Sequence, residues 1–204
     1  MKRQLSFTLV FLAACIGSMV FHEIGHAIFG RLQGIPVMPT PAKEYILQPQ
    51  VEWHQRTWIS LGGVLASVLV VSGSLLWYVL KRSKTGTAIL AGCLIIPGFY
   101  TLRFLLEGRG HDGTEWQEAQ TALGASPSGH SLDIVFLVLL FAGCASLAWF
   151  RDISLEWRSL LKSASLALLA LAIIIFVQVG NNAAFDKHFP KTRTLNMPAD
   201  IRGD

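Results

Sequence analysis

Five apolar runs constrain this chain more than any other feature. They cover approximately residues 5–30, 57–80, 85–106, 131–150 and 160–180. Each can supply the roughly 20 helical residues needed to cross about 30 Å of hydrocarbon. Lipid offers no partner for backbone N–H and C=O groups, so a spanning segment must be a helix or part of a closed barrel. Barrel strands alternate apolar and polar residues. These runs are continuously apolar, so helices are expected. Composition agrees: 52% of the 204 residues are hydrophobic and 15% are charged, against about 25% charged in soluble domains. No internal repeat or low-complexity linker divides the chain. It reads as an all-α membrane protein, one polytopic domain over 1–204, with about five transmembrane helices, a short extended flap after the first, and a polar, exposed tail at 181–204.

The connections differ in character. KRSK (81–84) is a short basic turn. In the segment 34–56, GIPVMPTPAKEYILQPQVEWHQR, Pro36, Pro39, Pro41 and Pro49 exclude a regular helix. An extended flap or hairpin is expected there. The segment 107–130 opens with a Gly-rich turn, and TEWQEAQTAL then begins a helix capped by Thr114. Pro97-Gly98 is expected to bend the third helix, and Arg103 to snorkel or to pair with Glu107 one turn on.

The formal net charge of +4 does not point to nucleic acid. The basic residues sit mostly in short loops, where they set topology. Lys2, Arg3, Lys81, Arg82, Lys84, Arg151, Arg158 and Lys162 fall on one side. The loops of the other side hold Arg31, Lys43, Arg56 and Arg109. This bias places the N-terminus inside, in a multi-pass protein of the cell membrane (plasma or inner). Trp53, Trp58, Trp77, Trp116, Trp149 and Trp157 lie near the expected interfaces, as an aromatic belt requires. Cys15, Cys93 and Cys144 all lie within apolar runs and read as small packing residues. LAAC (12–15) resembles a lipobox, but a cleaved signal precedes a polar mature segment. Here the apolar run continues, so Cys15 is expected to stay inside an intact first helix.

That first run contains VFHEIGHAIFG (20–30). Residues i and i+4 share one helix face, so His22 and His26 can point at one ion while Glu23 reaches a water beside it. This is the HExxH arrangement of two zinc ligands and a general base. A rise of 1.5 Å per residue puts His26 roughly 7 Å and His22 roughly 13 Å below Arg31. Three ionisable residues at such depth are expensive and mark function. A catalytic zinc takes a third protein ligand and keeps one position open. GHDGTEW (110–116) offers His111, Asp112 and Glu115, the flap offers His54, and His130 and His188 lie in a loop and in the tail. The first and third helices run in the same direction, which brings HEIGH and HDG to one membrane face.

HEIGH in a first core helix, a Gly-containing second helix and a later Asp-Gly together resemble the site-2 protease family of intramembrane zinc metalloproteases. The resemblance covers approximately residues 15–120. It implies Zn2+ held by His22, His26 and Asp112, with Glu23 as catalytic base. GRLQGIPV (30–37) is similar to the family's exit from the HExxH helix into an extended segment, and ISLGGVLAS (59–67) to its Gly-Pro-x-x-Asn motif. Val64 stands in place of that proline and Ser67 in place of the asparagine. His111, directly before Asp112, is a rival third ligand. The resemblance further implies a membrane-protein or peptide substrate that adds a strand to the flap, and a zinc site facing the cytosol, opposite to the side given by the basic residues. Two other functions fit the same residues: a non-proteolytic metal- or haem-binding membrane protein, and a zinc hydrolase of a non-peptide membrane substrate.

Overall fold

The computed structural model describes residues 2–40, 43–108, 116–117, 119–121, 129–149, 165–166, 169, 172–173, 176, 179–181, 183–189 and 192–196. Helix α1 (Lys2–Leu32) leads into three short strands, β1 (Val37–Thr40), β2 (Lys43–Ile46) and β3 (Gln50–Glu52). Then come α2 (Trp53–Lys81), α3 (Lys84–Cys93), α4 (Ile95–Glu107), α5 (Ser131–Trp149) and a last strand, β4 (Arg193–Leu195). Among the described residues, four segments are long and apolar enough to cross a membrane: Ser6–Leu32, Trp53–Lys81, Lys84–Glu107 and Ser131–Trp149. The fifth apolar run lies largely outside the described residues. Those described within it are helical.

Local chemistry sets the helix boundaries. Proline governs 34–49, but α2 begins at Trp53, four residues ahead of the apolar run. Glu52 and Gln55 form a capping box there, with Gln55 Oε1 accepting from the Glu52 N–H at 3.1 Å. At the far end Arg82 takes a left-handed conformation, φ 42°, and its N–H closes on Tyr78 O. Ser83 then caps α3 by accepting from the Gly86 N–H. The third apolar run is one crossing segment, Lys84–Glu107, interrupted within it as the expected bend requires. The break falls at Leu94, where Pro97 has no N–H to bond the carbonyl of Cys93. Gly108, φ 73°, ends α4.

The outer surfaces suit lipid. Leu69, Leu80, Leu106, Phe141 and Trp149 are each at least 70% exposed, which in water would form a large apolar surface. Polar side chains within the helices return to their own backbone: Ser18 Oγ donates to Cys15 O, and Ser74 Oγ to Val71 O, both at 2.8 Å. Cys15 and Cys93 are buried as packing residues, whereas Cys144 is exposed. Arg103 pairs with Glu107 at 2.8 Å.

Helices α1 and α2 cross closely because glycines meet at the contact. A Cβ on Gly25 would collide with the Gly62 carbonyl and lie 2.8 Å from the Ala66 Cβ, and one on Gly62 would collide with the Gly25 carbonyl. Strands β1 and β2 pair antiparallel, Val37 opposite Ile46 and Pro39 opposite Glu44. Val37 and Ile35 pack with Ala27, Val51 and Ile59 at the end of the α1–α2 interface. The described part of the tail is mostly exposed, as expected, but it is ordered against the strands. It is helical over 183–188, and β4 runs parallel to β3, Val51 opposite Thr194. Thr192 Oγ1 lies 3.2 Å from Ile46 O and 3.0 Å from Gln48 O, so its single proton is shared between two carbonyls at the edge of the strand segment.

Candidate metal centre

The glycine crossing places the HEIGH turn of α1 directly against α2. Gly63 faces the ring of His26 so closely that a Cβ there would overlap its Cε1 and Nε2. Both histidines and Glu23 are buried, with His26 2% exposed. His26 Nδ1 lies 2.7 Å from Ile59 O. A carbonyl only accepts, so Nδ1 carries the proton and Nε2 of the neutral ring presents a lone pair. His22 Nδ1 shares a 2.9 Å hydrogen bond with Ser67 Oγ. The two Nε2 atoms then stand 3.1 Å apart, hydrogen-bonded to each other, the rings edge to face at 88°.

This geometry fits one small cation. Zn–N distances of about 2.0–2.1 Å in a tetrahedral site put two ligand nitrogens roughly 3.3 Å apart. Metal-binding histidines generally donate their other ring N–H to a carbonyl or polar side chain, which fixes tautomer and ring orientation. Ile59 O does this for His26, and Ser67 is placed to do so for His22. Glu23 adds a carboxylate. One ligand atom of each of Glu23, His26 and Glu44 lies within 4.8 Å of the others, a set that meets the histidine pair at His26 and does not include His22.

The structure thus brings together His22, His26 and Glu23. The expected third ligand, Asp112, lies outside the described residues, as do His111 and Glu115. Their neighbour Trp116 is described. It packs on the cluster of Val64, Leu132 and Phe136 and donates to Ser131 Oγ at 2.9 Å. Val64 follows Gly63 in α2. The remaining histidines are separate: His54 is exposed on the first turn of α2, His130 Nδ1 lies 3.3 Å from Asp133, and His188 is exposed and bonded to Ala184 O.

Four contributors escaped the motif. Glu44 sits in a proline-rich stretch where nothing in the sequence sets it apart. Ser67 stood out only as a departure from an asparagine, and Gly63 only as one of a glycine pair. The Ile59 carbonyl has no sequence signal at all. No protein-family model, curated protein or solved structure matches the chain.

Proposed function

We propose that the chain is a zinc-dependent intramembrane metalloprotease that hydrolyses peptide bonds of membrane-spanning or membrane-adjacent substrates. The observation that carries this reading is the His22–His26 pair, 3.1 Å apart at Nε2 with both Nδ1 atoms engaged by α2, and Glu23 buried beside it. His22 and His26 would hold the ion, with Asp112 as the third ligand. Bound zinc supplies Lewis acidity, which makes water a nucleophile near neutral pH and polarises a carbonyl. Glu23 takes the proton of the attacking water and passes it to the departing amine. Gly63 and Gly25 leave room beside the ring of His26 and let α2 approach. The hairpin over the end of α1 offers backbone edge groups to an extended substrate strand, so a transmembrane substrate unwinds locally before cleavage. The site lies within a multi-pass protein of the cell membrane.

Two Nε2 atoms of one helix, this close together, suit a single ion rather than the opposed axial ligands of a haem. Zinc content and cleavage of membrane-segment peptides test the proposal together. Glu23→Gln is expected to retain zinc and to lose about 10²–10⁴ in rate, the usual contribution of a general base. Asp112→Asn is expected to weaken zinc retention. Full activity in Glu23→Gln would sink the protease reading.

A further inference from the structure

The β1–β2 hairpin has two working faces. Side chains alternate along a strand, and β2 uses the alternation fully. On one face, Lys43 Nζ bonds Asp186 at 2.9 Å and sits 4.8 Å from the centroid of the Tyr45 ring. Tyr45 in turn packs against Phe185 and Phe189, with centroids 5.6 and 5.7 Å away. All three partners belong to the C-terminal segment, whose Thr192 also bonds the Ile46 and Gln48 carbonyls. On the other face, Ile46 packs into the cluster of Ala27, Val37 and Ile59. Glu44, two residues before it, reaches within 4.8 Å of both Glu23 and His26.

Two carboxylates beside an imidazole lone pair repel one another in a partly buried setting, and either a shared proton or a cation among them relieves this. Lys43 attracts Glu44 only weakly, because its ammonium is turned to Asp186 on the opposite face. A catalytic zinc keeps one coordination position open, whereas a full set of protein ligands closes it.

We propose that Glu44 is an internal ligand to the ion held by His22 and His26, closing the site at rest, and that residues 185–189 and 192–195 hold the hairpin in this closed position. The inference rests on the metal-site reading above. Opening then consists of lifting the C-terminal segment from Lys43 and Tyr45, which withdraws Glu44 and frees a position for substrate. A partner or substrate that competes for the Tyr45 face opens the enzyme.

Cobalt(II) reports the ligand set without requiring turnover. The full chain, purified in detergent and loaded with Co2+, is compared with three variants by visible absorption and chelator competition. Glu44→Gln is expected to lower Co2+ affinity about tenfold and to change the d–d bands. Asp186→Ala combined with Phe189→Ala is expected to move the bands in the same direction with Glu44 intact. An unchanged spectrum and affinity in Glu44→Gln, with Co2+ lost in His26→Ala, overturns Glu44 as a ligand and leaves the metal site standing. An unchanged spectrum in the double variant overturns the latch. Failure of the wild type to bind Co2+ stoichiometrically overturns this inference and the metalloprotease reading together.

Discussion

Ser67 reaches across the α1–α2 interface to His22, its Oγ 2.9 Å from Nδ1. Ile59, two helical turns earlier in α2, offers its carbonyl to His26 at 2.7 Å. Helix α2 therefore orients both rings, one through a side chain and one through backbone. Only the side-chain contact can be removed by substitution. Ser67→Ala is expected to weaken zinc binding by 10- to 100-fold, the usual effect of losing such an outer partner. Ser67→Asn keeps a hydrogen-bonding group and is expected to stay within a few-fold of wild type. Chelator competition on the purified protein measures both. Equal affinities for Ser67→Ala and wild type would show that the Ser67 contact does not orient the ligand.

Gly63 provides a sharper steric test. A Cβ there would overlap the His26 ring, while one at Gly73 in the same helix meets nothing within 4 Å. Gly63→Ala is therefore expected to displace His26 and cost at least tenfold in zinc affinity. Gly73→Ala should leave zinc untouched and stabilise α2 by about 0.5–1 kcal/mol, the backbone term relieved when alanine replaces glycine in a helix. Thermal unfolding and zinc content of the two variants separate the steric effect from the general one.

The sequence showed the spanning helices because apolar length is a local property. It showed His22, Glu23 and His26 because their spacing lies within one helical turn. It did not show the partners of those residues. Ser67 and Ile59 come to the histidines only through the crossing at Gly25 and Gly62, and a crossing is a tertiary event. Glu44 reaches the site through a hairpin register that pairs Pro39 with Glu44, and proline-rich sequence alone leaves register open. The tail's contacts were hidden for the same reason. Its polarity suggested exposure, and most of its described residues are exposed, but nothing local announces that Thr192 bonds strand carbonyls or that β4 pairs with β3.

The crossing itself is open to test. Gly25 and Gly62 face each other so tightly that either Cβ meets the opposite backbone. Relief requires the helices to move apart, which lengthens both histidine contacts at once. Gly62→Ala is expected to destabilise the fold by about 1–3 kcal/mol, as overpacking does, and to reduce zinc affinity in parallel. A variant of normal thermal stability and normal affinity would mean that the interface has slack which the close approach does not suggest.

The latch between Lys43 and Asp186 carries a pH signature. The hydrogen bond to Asp186 raises the Lys43 ammonium above its ordinary value, and burial raises the Tyr45 phenol. A folded-state value above the unfolded one gives stabilisation that is fully present at lower pH and is lost as pH rises through the folded value. Both groups thus act in one direction, and the C-terminal segment should stay docked at neutral pH and release only in the alkaline range, as lysine and tyrosine deprotonate. The Lys43–Asp186 pair is largely exposed, so its share is modest. Limited proteolysis of the segment 185–195 across this range reads the release. Lys43→Arg keeps its charge and is expected to extend protection to higher pH. Lys43→Met should weaken protection at every pH, and Tyr45→Phe should preserve the aromatic packing while removing the tyrosine contribution. A release profile identical in all four proteins would place the hold of the segment elsewhere, on the β3–β4 pairing.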